Sequence, residues 1–172
     1  DVVTGAGPGG GPHVQVFSGK TLLPNANAPI GVLQMPMQSY FAYNPMFTGG
    51  VSVASGDTDG DGFSDVVTGA GAGGGPHVKI FSGTSGTELQ SFFAYDGGYT
   101  VGLFVAAGDL DGEGKAEVIA GVSDGPSRVR VYEGKTLKNT FTVWGNGKPG
   151  GVRVGTVDIT GDGIDEIIAG NG

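Results

Sequence analysis

The chain has 172 residues, no cysteine and a formal net charge of −8. That length suits one domain with a real core; the missing thiols exclude disulfides, and the acidity argues against sequence-independent nucleic-acid binding. No run of eighteen apolar residues occurs, so no membrane span is expected, and no signal peptide is visible at the start.

In chain order, Asp1-Val-Val-Thr-Gly-Ala-Gly7 reads as a strand entering a Gly-rich turn, and the alternating strand His13-Val-Gln-Val-Phe17 follows. Residues 20–37 are the least repetitive stretch, rich in Pro and Asn with Met35 and Met37; long insertions of this kind often carry binding specificity. An aromatic strand, Tyr40-Phe-Ala-Tyr43, precedes Val51-Ser-Val-Ala54, which leads into an acidic loop. The order then recurs: Asp65-Val-Val-Thr-Gly-Ala-Gly71, His77-Val-Lys-Ile-Phe81, Phe92-Phe-Ala-Tyr95 and Leu103-Phe-Val-Ala-Ala107. It recurs again as Glu117-Val-Ile-Ala-Gly121, Arg128-Val-Arg-Val-Tyr132, Phe141-Thr-Val-Trp144 and Val152-Arg-Val-Gly-Thr-Val157, and Glu166-Ile-Ile-Ala-Gly170 opens a last unit. The starts lie 64, 52 and 49 residues apart, near the spacing of arrays built from supersecondary units. Each unit reads as four short strands joined by Gly turns, with no capped stretch of helical period.

Between the first and second strands of a unit lies a nine-residue loop, written three times at 57–65, 109–117 and 158–166. Oxygen-bearing side chains fall at positions one, three, five and nine: Asp57, Asp59, Asp61 and Asp65; Asp109, Asp111, Glu113 and Glu117; Asp158, Thr160, Asp162 and Glu166. The carbonyls of Phe63, Lys115 and Ile164 would supply position seven. Ca²⁺ takes six to eight oxygens, and alternate carboxylates converge on one ion only where the backbone curls tightly, which glycines at positions four and six permit. About three Ca²⁺ sites are therefore expected, the first tightest and the last weakest because Thr160 replaces a carboxylate. Eleven of the 17 acidic residues sit at these positions, and six charges from three ions would bring −8 to −2. Most of the acidity is then metal-site chemistry. An EF-hand is excluded, since its helices are missing and position twelve holds Thr68, Ala120 or Ala169 instead of Glu.

Four antiparallel strands per unit of about fifty residues is the pattern of a β-propeller blade. Loop 57–65 running into Val66-Val-Thr-Gly-Ala-Gly71 resembles the FG-GAP repeat of integrin α-subunits, whose motif is Asp-x-Asp-x-Asp-Gly-x-x-Asp followed by a Val-Gly-Ala-Pro-like strand end. The resemblance covers nearly the whole chain and implies propeller blades with calcium between strands one and two. It also implies adhesion, ligand binding or carbohydrate recognition outside cells. The family's Phe-Gly has partial counterparts in Gly49-Gly50 and Gly150-Gly151.

The expected fold is all-β, a single array over 1–172: a partial blade at 1–49, whole blades at 50–100 and 101–150, and a partial blade at 151–172. Closed propellers have four to eight blades, so a fragment of a longer repeat protein is the simplest reading. The alternative is a subunit whose broken blades join into a filament or surface layer.

Other motifs weigh less. Residues 5–10 and 69–74 satisfy Gly-x-Gly-x-x-Gly, but strands follow where a dinucleotide site needs a helix. Gly19-Lys-Thr21 and Gly134-Lys-Thr136 lack the earlier glycine of a phosphate loop. His13 and His77 occupy equivalent positions, for which a structural bond to the Gly-rich turn is the favoured role. Six of the nine basic residues (Arg128, Arg130, Lys135, Lys138, Lys148 and Arg153) fall in the third repeat, read first as a solvated outer strand, with a patch for an anionic partner as the alternative. The fourth-strand aromatics read as inter-blade packing before they read as a sugar platform. No catalytic constellation is evident. The expectation is a non-catalytic, calcium-stabilised extracellular or cell-surface module that binds a protein or glycan, with a lectin or carbohydrate-active enzyme fragment as a further alternative.

Overall fold

The computed structural model describes residues 1–22, 35–144 and 150–172; Lys148 and most of the 20–37 insertion lie outside the described residues. The described chain is all-β apart from one helical turn, α1 (Gly19–Leu22). That turn is too short to leave a periodic signature in sequence.

Four antiparallel sheets follow one another. The first has β1 (Val2–Gly5), β2 (His13–Phe17) and β3 (Gln38–Phe41). The second runs β4 (Val51–Gly56), β5 (Asp65–Ala70), β6 (His77–Phe81) and β7 (Glu88–Phe93). The third runs β8 (Leu103–Gly108), β9 (Glu117–Val122), β10 (Arg128–Glu133) and β11 (Thr136–Thr142). The last is the hairpin β12 (Val152–Val157) and β13 (Glu166–Asn171). Each sheet pairs its strands in sequence order, the meander of a propeller blade.

The core lies between sheets. Val14 and Val16 of the first sheet pack on Val66 and Phe81 of the second, Val67 and Ile80 on Val105 and Val118, and Ile119, Val129 and Val131 on Val152. β5 and β9 are buried at every residue, because a sheet covers each of their faces. Their sequences accordingly run Val-Val-Thr and Val-Ile-Ala without polar alternation, while β2, β6 and β10 alternate as half-covered strands do.

The fourth strand of a blade differs from its sequence expectation. β3, β7 and β11 begin before the aromatic runs and end short of Tyr43, Tyr95 and Trp144. After each strand the backbone makes one more bond, from Ala42 N–H to the Pro12 carbonyl, Ala94 N–H to Pro76 and Val143 N–H to Ser127. The chain then leaves the ladder, and the terminal aromatic turns into the next sheet.

Candidate metal centre

Each acidic loop is the tip of the first hairpin of a blade. The registers Gly56↔Asp65, Gly108↔Glu117 and Val157↔Glu166 place position nine at the first residue of the second strand. Positions four and six are glycines with φ between 77° and 87° in all three loops, a region costly to residues with a Cβ.

Position one organises the loop. The Asp57 carboxylate accepts hydrogen bonds from Gly60 N–H at 2.7 Å and Gly62 N–H at 2.9 Å. Asp109 does the same with Gly112 and Gly114 at 2.7 and 2.8 Å, and Asp158 with Gly161 and Gly163 at 2.6 and 2.9 Å. The Gly163 N–H foremost holds the Asp158 carboxyl below the usual range. At positions three and five, Asp59 accepts from Asp61 N–H, Asp111 from Glu113 N–H, Asp61 from Phe63 N–H and Asp162 from Ile164 N–H.

Oxygens sharing one Ca²⁺ at 2.3–2.6 Å lie no more than about 5 Å apart. The structure brings Asp57, Asp59 and Asp61 together with one oxygen each, all within 4.8 Å of one another, and does the same with Asp109, Asp111 and Glu117. These all-oxygen, triply charged donor sets fit a hard divalent cation. Asp65 stands apart from the first group. It is 1% exposed, and its carboxylate accepts from Thr58 N–H at 3.1 Å, Thr58 Oγ1 at 2.6 Å and Gly83 N–H at 3.2 Å. Glu117 in the second loop combines both roles: it accepts from Leu110 N–H at 2.8 Å and also joins the cluster. Burial first, then repulsion from Asp111 and Asp109, holds its carboxyl above the usual range.

Among the described residues no third such group forms. Glu166 accepts from Ile159 N–H at 2.8 Å, while Thr160 sits at position three where the other loops place Asp. Glu113 lies outside the second group. The position-seven residues have a use that sequence reasoning missed. Lys115 lies over Gly60 of the preceding loop, its Cε 2.7 Å from where a Cβ would stand, and Ile164 packs on Gly112 in the same way. Beside them, Ala116 N–H donates to the Asp57 carbonyl and Asp165 N–H to the Asp109 carbonyl, each at 2.7 Å. The second and third loops are thus each bonded to the one before. No motif announces such a link, because it runs through the backbone.

Residues 109–169 match the FG-GAP-like repeat family model, and residues 49–87 match the FG-GAP repeat model. The chain is built of FG-GAP-like repeats. Both matches run through an acidic loop into the strand that follows it. No curated protein gives a significant match to the chain. No helix among the described residues is long and apolar enough to cross a membrane.

Proposed function

We propose that this FG-GAP-like chain is a non-catalytic, calcium-stabilised module of an extracellular or cell-surface protein, serving as a scaffold for adhesion or for a protein or glycan ligand. The observation that carries the reading is the convergence of Asp57, Asp59 and Asp61, and of Asp109, Asp111 and Glu117, at the equivalent corner of successive blades. Three carboxylates so close repel one another, and a bound cation turns that repulsion into attraction. The third loop, with Thr160 and a less gathered donor set, is the weakest of the three. Millimolar extracellular calcium suits such sites better than the submicromolar cytosolic level.

The test is thermal unfolding in calcium and in EDTA. Calcium should raise the melting temperature, and by linkage the increment should grow with calcium concentration. An unchanged melting temperature would refute the metal reading.

A second reading is favoured by the sheet edges: β1 and β13 are each paired on one side only. Unpaired strands template association, so a self-assembling subunit joined blade to blade is the alternative role. Sedimentation across a concentration series with calcium present decides it; a concentration-independent monomer removes it.

A further inference from the structure

At the end of the inner strands away from the acidic loops lies a cavity of about 400 Å³. Its wall includes Ser52, Phe104 and Arg153, the second residues of β4, β8 and β12, together with apolar Pro8, Val101 and Leu103. Three successive blades contribute one equivalent position each, and the three side chains differ completely: a hydroxyl, an aromatic ring and a guanidinium.

The Arg153 guanidinium lies over the Phe104 ring, 4.4 Å from its centroid. Stacking fixes the plane of the guanidinium and leaves the N–H groups around its rim free to donate. The ion pairs among the described residues are Lys79–Glu88 and Lys138–Glu133, so Arg153 has no carboxylate partner there. The loop carboxylates stand at the other end of the inner strands, some four residues along, or roughly 13 Å. That exceeds the Debye length of about 8 Å at physiological salt. The other third-repeat cations differ: Lys138 pairs with Glu133, and Arg130 donates to the Ala94 carbonyl and stacks on Tyr95. Arg153 alone of these three lines the cavity. The Ser52 hydroxyl oxygen accepts from Val105 N–H at 3.2 Å, which leaves its O–H to donate.

We propose that this cavity binds a carboxylate carried on an apolar body, with Arg153 as the charge partner, Phe104 as the platform that orients it and Ser52 as a second donor. A planar two-oxygen anion matches the guanidinium fork, and the size and mostly apolar wall are those of a small-ligand site. A bare oxyanion would leave that wall in water. The ligand is therefore a small aromatic or aliphatic acid, or the carboxyl end of a peptide.

The test is an amide-resolved NMR titration of the whole chain in calcium buffer. The probes are 3-phenylpropionate for a free acid and acetyl-Gly-Phe with its free carboxyl end for a peptide terminus. Either should saturate with a millimolar Kd and shift the amides of Ser52, Phe104 and Arg153; whichever binds tighter identifies the source. Acetate and 3-phenylpropionamide, which offer the charge or the body alone, should each bind at least about tenfold more weakly. Arg153→Met should abolish the preference for acid over amide, and Arg153→Lys should keep only part of it. Melting temperatures of both variants, expected to match the parent because Arg153 is exposed, exclude a folding defect. Equal binding of acid and amide, an undiminished preference in Arg153→Met, or no saturation by either acid overturns the assignment.

Discussion

Tyr43 and Tyr95, each two residues past the end of a fourth strand, fasten one blade to the next. The Tyr95 hydroxyl lies 2.7 Å from the Ala120 carbonyl and 2.9 Å from that of Arg128, and Tyr43 reaches Thr68 and His77 in the same way at 3.1 and 2.8 Å. Each phenol thus meets one backbone carbonyl from each of two adjacent strands of the neighbouring sheet, β5 and β6 for Tyr43 and β9 and β10 for Tyr95. Burial drives both phenols well above the usual tyrosine range. Tyr95→Phe keeps the ring and removes the donor, so unfolding free energy should fall by about 1–2 kcal/mol in chemical denaturation. No loss would mean the carbonyls find other partners. His77 bonds Ser91 at 2.7 Å, while desolvation, reinforced by Lys79, lowers its pKa below the ordinary 6.5. The fold thus favours the neutral ring. Its contribution is complete above pH 6.5 and is lost as pH falls through the depressed folded-state value. An NMR titration of the ring should give a pKa below 6.5; a value at or above it contradicts this account.

At the level of the element, close approach between turns and strands sets which glycines matter. Gly83 has no positive φ, but a Cβ there would run into the Ser64 carbonyl oxygen, and its N–H holds Asp65. Gly83→Ala should lower stability by about 1–3 kcal/mol through overpacking. Gly97, with nothing within 4 Å and no positive φ, should tolerate alanine within about 0.5 kcal/mol. Calorimetry of the pair separates close packing from glycine content as the cause. These two residues also mark where sequence reading stops. Alternation in β2 and β6 and the Gly turns were legible, since period two and φ are local properties. The acidic loops were legible as hairpin tips because their spacing is local as well. What was hidden depends on neighbours distant in sequence: Asp65 turning to Thr58 and Gly83, the fourth strands ending before Tyr43 and Tyr95, and Arg153 meeting Phe104. The aromatic runs read as fourth strands with inter-blade packing; the packing is there, but the strands end before Tyr43 and Tyr95, whose hydroxyls bond to the next blade.

Across the whole molecule, the loop links turn three separate acidic loops into a row. Ala116 N–H reaches the Asp57 carbonyl and Asp165 N–H the Asp109 carbonyl, and each donor sits at position eight of a loop whose shape a cation would fix. If calcium is held as proposed, filling the second loop pins Ala116 and with it position one of the first. Coupling through one backbone bond of this kind changes affinity by about three- to tenfold. Asp111→Asn removes a ligand from the second loop while leaving both links intact. The first loop can be read separately by terbium luminescence, with Phe63→Trp as the sensitiser, because Phe63 occupies position seven and the residue is 60% exposed. The signal sensitised by Trp144 is subtracted using the chain that retains Phe63. Asp111→Asn should then weaken terbium at the first loop by about three- to tenfold, although nothing in that loop has changed. An unaltered first-loop affinity would make the sites independent, and no luminescence in the Phe63→Trp parent would instead remove the metal itself. With calcium held as proposed, coupling of this form would let the repeat array stiffen blade by blade as calcium rises.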